Sequence, residues 1–133
     1  MHCIDVAIAV VVNQRKVLIC RRKSGGVLGG YWEFPGGKRE PGETLRDCLA
    51  RELMEEVGIE IAILRELTPV QHDYKHARVT LHPFLCRHVS GEPAALQCER
   101  LEWVEVGRFC DYEFPPANDS LLEEIAGTIG NGQ

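Results

Sequence analysis

Three carboxylates and an arginine stand together at Arg51-Glu52-Leu53-Met54-Glu55-Glu56, the part of this 133-residue chain best equipped for chemistry. On a helix, spacings of three and four put Glu52, Glu55 and Glu56 side by side. As a solvated face the arrangement is poor. Each like-charge pair costs about 0.2–0.5 kcal/mol. Glu55 and Glu56 also fall in the last turn, where the negative end of the helix dipole disfavours acids by about 0.3–1 kcal/mol each. Arg51 relieves part of this through Glu55 at i+4. A divalent cation, Mg²⁺ or Mn²⁺, would remove the conflict and keep positions open for water and phosphate oxygens. A merely acidic surface helix is the plain alternative, and spacing alone leaves both open.

Those side chains need a helix, and its limits are written in the sequence. Pro41-Gly42 marks a turn, Thr44 with Asp47 three residues on resembles a capping box, and Gly58 suits the C′ position. The spacing predicts a helix over 44–57, with Leu49, Ala50, Leu53, Met54 and Val57 on its core-facing arc.

Upstream, residues 4–12 are β-branched and almost wholly apolar, the pattern of a central strand buried on both faces. A turn at Asn13-Gln14-Arg15 leads to a second strand, 16–20, as its hairpin partner. Arg21-Arg22-Lys23 follows, the densest positive charge in the chain. It is either a solvated strand end or a phosphate contact, and it opens into a Gly-rich loop, 24–30. That loop lacks GxxxxGK[ST] and is no P-loop. Trp32 reads as core, and Phe34 as a stacking surface for a base.

Downstream, 60–67 reads as a strand that 70–74 extends. Residues 79–89 form another, in which Pro83 demands an edge or a bulge. Residues 101–106 alternate as a short strand. A last helix, 118–129, buries Leu121, Leu122, Ile125 and Ile129 and is capped by Asn118 or Asp119. His72 and His76 lie four apart in a hairpin arm without HExxH, so no metal pair is expected there. Strands, helix, strands, helix predict a mixed α/β layered domain over 1–133.

The net charge of −5 argues against a broad basic surface for polymeric nucleic acid. A small anionic substrate stays possible, because a metal can carry the neutralising charge. Six cysteines form no CxxC and no zinc-type pairing. Cys20, Cys48 and Cys86 sit among apolar residues as small core hydrophobes. The expectation is a reducing cytoplasm, no secretory leader and no membrane span. Monomer and homodimer both fit.

Residues 37–59 resemble the Nudix box, G-x5-E-x7-R-E-U-x-E-E-x-G-U with U aliphatic, at every fixed position: Gly37, Glu43, Arg51, Glu52, Leu53, Glu55, Glu56, Gly58 and Ile59. Beyond the box the chain is similar to the MutT-type branch at Arg21-Arg22, at 33–38, at Val79-Thr80-Leu81 and at Phe114-Pro115-Pro116-Ala117-Asn118. The resemblance implies a Nudix fold, a mixed sheet sandwiched between helices. It implies a Mg²⁺- or Mn²⁺-dependent hydrolase that splits nucleoside triphosphates into monophosphate and pyrophosphate, oxidised guanine nucleotides such as 8-oxo-dGTP above all. The Gly36 carbonyl with Glu52, Glu55 and Glu56 would hold the metal. Glu52 would act as general base, and Arg51 would orient the ridge, with Glu43 as a possible partner.

Arg22 and Lys38 would steady the phosphates. Phe34 and Asn118 would line the base pocket, with Val6 and Ile8 as its apolar wall. The Asn118 amide both accepts and donates, so it suits the N7–H and O6 of 8-oxoguanine. Two departures stand out. Ala77 takes the place of an arginine of the branch, leaving Arg78 to reach the base only if a loop lets it. Gln97 replaces a late glutamate, with Glu99 and Glu102 near but not equivalent, so the number of metals stays open. Two other readings remain: a CTP or modified-dCTP pyrophosphohydrolase, and a non-catalytic Nudix-like recognition module.

Overall fold

Every residue of β1 (His2–Asn13) from His2 to Val12 pairs in parallel with β7 (Ala77–Ser90), from His2↔Ala77 to Val12↔Arg87. This pair is the centre of the sheet in the computed structural model, which describes residues 2–26 and 28–129. Val27 of the Gly-rich loop and both ends of the 1–133 span lie outside the described residues. Side chains of a strand alternate between faces. Ala7, Ala9 and Val11 meet Leu49, Leu53 and Val57 of α1 (Leu45–Val57) on one side. Ile8 and Val10 meet Leu121, Ile125 and Ile129 of α2 (Asp119–Ile129) on the other. Two buried faces are why β1 reads as an unbroken apolar run, and the layers are those expected: a mixed sheet between helices.

The sheet forks beside β1. β2 (Lys16–Arg21) pairs along its whole length with β8 (Arg100–Glu105). On its other edge it pairs with β1 only at Lys16 and Val17, then with β3 (Trp32–Glu33) at Cys20 and Arg21. Next, β4 (Gly36–Lys38) pairs with β1 at Val6, Ala7 and Ile8. Residues 32–38 thus fill the wedge where β1 and β2 part. The hairpin turn at Gln14 and Arg15 has φ of 52° and 67°, the positive values that tight hairpins require.

α1 starts and stops where its caps place it. The Asp47 N–H donates to Thr44 Oγ1 at 3.0 Å, and Gly58, at φ 72°, donates its N–H to the Leu53 and Met54 carbonyls. Its buried stripe is not the one expected. Ala50 is exposed and Met54 half exposed, while Cys48 and Glu56 are buried with Leu49, Leu53 and Val57. The helix is rolled so that its glutamate ridge, and not only its leucines, meets the sheet.

Three further expectations change. Residues 70–74 do not extend β5 (Glu60–Glu66); β6 (Val70–Asp73) is a separate strand paired to β7. Pro83 is not on an edge strand. β7 pairs with β5 from Phe84 onward and with β6 up to Leu81, so Pro83 sits where one partner gives way to the other. There its missing N–H breaks no ladder, and its carbonyl accepts from Leu67 N at 2.8 Å. Finally, Asn118 does not cap α2. It closes a 3-10 turn, Pro116–Asn118, and is buried.

Candidate active site

Gly36 stands at the fork, and its backbone polarity decides what faces it. Arg39 N bonds Asp5 O, and Ala9 N bonds Pro35 O. An antiparallel ladder alternates, so Gly36, opposite Ile8, turns its N–H and C=O away from β1. The N–H meets Glu56 Oε2 at 3.2 Å. Gly36 has no room for a side chain, because a Cβ there would strike the Ala7 carbonyl, and one on Gly37 would have to displace the Glu52 carboxylate. The two glycines let α1 press its carboxylates onto the strand.

Arg51 holds the ridge. Its Nε and Nη2 fork onto Glu43 at 2.7 and 2.9 Å, and its Nη1 reaches Glu52 Oε1 at 3.0 Å and Glu55 Oε2 at 3.2 Å. Nη2 also donates to the Lys38 carbonyl at 3.3 Å, tying helix to strand. Hydrogen bonds from Arg51 and from the Glu40 N–H hold the Glu43 carboxyl at about 2. The other acids go the opposite way. Burial raises Glu52 and Glu33, and it lifts Glu56 to about 7 against the Gly36 N–H bond.

Carboxylates disfavoured by desolvation, beside a carbonyl turned away from β1, suit a hard divalent cation in donor type. Their grouping is looser than the sequence implied. Among the described residues no three His, Cys, Asp or Glu side chains converge tightly enough to enclose an ion. Glu55 is the outlier, half exposed and turned to Arg51. Glu52 and Glu56, with Gly36, border one cavity of about 320 Å³.

That cavity also takes Arg22, Lys23, Glu33 and Gln97. Arg22 Nη1 bonds Glu33 Oε1 at 2.9 Å. Neither glutamate near Gln97 faces it. Glu99 pairs with Arg21, and Glu102 with Arg100 and the Tyr112 hydroxyl.

A second cavity, of about 290 Å³, lies on the α2 side of the sheet. Val6 and Ile8 of β1 and Val79 and Leu81 of β7 form its apolar wall, with Asn118, 7% exposed, and Lys38 as polar members. Phe34 borders it but offers little surface. It is 3% exposed, and its ring stacks on Phe114 at 5.5 Å, so one face is already covered. Arg78 is not brought to it. The alternation that points Val79 and Leu81 inward points Arg78 out, where it forks onto Asp73 at 2.8 and 3.2 Å. The two cavities share Arg22, Glu33 and Gly36.

Sequence reasoning missed Glu33 and Tyr74 as lining residues. Glu33 left a signal: Trp32 and Phe34 pack in the α2-side core, so a strand residue between them must face away. Tyr74, at the end of β6, left none.

The NUDIX domain family matches over residues 7–124. A Haemophilus influenzae protein named 8-oxo-dGTP diphosphatase is 32% identical over 96% of this chain and 95% of its own length. An Escherichia coli K12 protein named CTP pyrophosphohydrolase is 32% identical over 92% of this chain and 91% of its own. The solution structure of the E. coli ORF135 protein superposes at a TM-score of 0.85 with 30% identity, covering 99% of this chain and 94% of that one.

Proposed function

The chain belongs to the NUDIX domain family and is a MutT-type hydrolase, and from that premise we propose that it cleaves nucleoside triphosphates to monophosphate and pyrophosphate, with oxidised guanine nucleotides such as 8-oxo-dGTP as substrates. The observation that carries this is the joining of two unlike cavities at Gly36. One is apolar and ends at a buried amide, Asn118; the other is lined by Glu52 and Glu56. A base fits the first and a phosphate chain the second. The reading takes 1–133 as one domain and the cytoplasm as its setting.

In this mechanism Glu52 and Glu56 with the Gly36 carbonyl would hold Mg²⁺ or Mn²⁺, and Glu55 would join them on leaving Arg51. The cation, when bound, offsets phosphate charge and acidifies a water. Glu52 Oε1 is fixed by Arg51, while Oε2 has no partner among the described residues. Oε2 therefore takes the proton from the attacking water as the new O–P bond forms at the β-phosphorus, and the monophosphate leaves. Arg51 keeps Glu52 aimed; Arg22 and Lys38 hold phosphate oxygens. Asn118 accepts from N7–H of an oxidised guanine and donates to O6.

The relative named CTP pyrophosphohydrolase favours a second reading, a cytosine nucleotide in the same pocket. A panel of 8-oxo-dGTP, dGTP, CTP and 5-methyl-dCTP with Mg²⁺ separates them by kcat/KM. Preference for 8-oxo-dGTP supports the first reading, preference for cytosine nucleotides the second, and no turnover overturns both.

A further inference from the structure

Arg22, Glu33 and Gly36 border both cavities, whereas Lys23, Ser24 and Gln97 border only the acidic one. A nucleotide with its base beside Asn118 must cross at Gly36, and its phosphate chain then runs toward the lip at Lys23. Arg22, paired with Glu33 at 2.9 Å, and Lys38 both border the apolar cavity and so serve the phosphates nearer the base, while Arg51 is held by Glu43 and Glu52. Lys23 is exposed and has no hydrogen-bond or ion-pair partner among the described residues. Without it, the last phosphate of the chain would face Glu33, Glu52 and Glu56 with no free positive side chain at that end.

We propose that Lys23 anchors the terminal phosphate of a nucleoside triphosphate and so selects triphosphates over diphosphates; this rests on the pyrophosphohydrolase reading above. A flexible ammonium with three donors suits a terminal phosphate, which presents three equivalent oxygens.

Steady-state kinetics of the full chain with Mg²⁺ tests this on the preferred matched pair, 8-oxo-dGTP with 8-oxo-dGDP or CTP with CDP. Lys23→Gln is expected to raise KM for the triphosphate and to cut the triphosphate-to-diphosphate ratio of kcat/KM roughly tenfold, about the worth of one charge-assisted hydrogen bond. Lys23→Arg restores most of the ratio, and inhibition by added pyrophosphate weakens in Lys23→Gln. An unchanged ratio in Lys23→Gln beside an active wild type overturns the anchor and leaves the hydrolase reading standing. A wild type that cleaves neither nucleotide overturns that reading, and the anchor with it. Thermal melts of both variants exclude misfolding as the cause of any change.

Discussion

The carboxylate ridge and the apolar cavity meet at Gly36 yet are built in opposite ways. The ridge is local: Glu43, Arg51, Glu52, Glu55 and Glu56 lie within one loop and one helix, and a single guanidinium ties Glu43, Glu52 and Glu55. The cavity is assembled from afar. Val6 comes from β1, Leu81 from β7 and Asn118 from the turn before α2; sheet register sets Val6 beside Leu81, and the packing of the chain ahead of α2 brings Asn118 to them. A local site is fixed by spacing along a helix. An assembled one depends on every strand pairing between its parts, and it can change its ligand without disturbing the chemistry beside it.

That contrast predicts which property each substitution moves. Glu52→Gln should lower kcat by roughly 10²–10⁴-fold, the usual worth of a general base. The loss should be alike for every base, with a melting temperature close to wild type. A variant that loses rate on one nucleotide only would join the ridge to the base pocket. Asn118→Ala should act on selectivity instead. It should reduce kcat/KM for 8-oxo-dGTP roughly 10-fold or more, a lost buried hydrogen bond or two, and spare CTP. Equal losses on both would place Asn118 in structure rather than recognition.

Glu43→Gln should show as stability. Arg51 lowers the Glu43 carboxyl from 4.5 to about 2 in the folded protein, so its contribution is full above the unfolded value and fades as pH falls toward 2. Melting temperatures of wild type and Glu43→Gln should therefore differ at pH 7, keep that gap to about pH 5, and converge in stronger acid. A gap that persists at pH 2 would assign the loss to packing. Smallest is Arg78→Ala. It breaks only an exposed pair with Asp73, worth about 0–1 kcal/mol, and should leave kcat/KM within about twofold.

The same contrast explains what the sequence disclosed. Thr44, Asp47 and Gly58 mark the ends of α1, and the ridge follows from counting along it. The roll of the helix does not. Ala50 and Met54 are apolar, and only the wedge of residues 32–38, with two glycines against α1, explains why Glu56 is buried in their place. Pro83 announced a break in pairing, but the break belongs to the neighbours, β5 and β6, and not to β7. Arg78 was one residue from the position a pocket contact needs, and on a strand one residue is the other face. The Phe34 ring reads as one free to stack, and nothing in its neighbouring residues signals that Phe114 already covers it.

The parallel pairing of β1 with β7 also bears on how the protein is made. β1 is synthesised long before its partner, and a parallel ladder needs the whole intervening stretch, α1 included, before it can close. Pairings so distant in sequence are slow to form, because loop entropy is lost before contacts repay it. Until Ala77–Ser90 has been added, the apolar run from Ala7 to Val11 has a short hairpin and β4 beside it and α1 on one face, while the face of Ile8 and Val10 still lacks α2. The nascent chain is at its most aggregation-prone in that interval, and the nucleotide cavity, walled by both strands, is among the last parts of the molecule to exist.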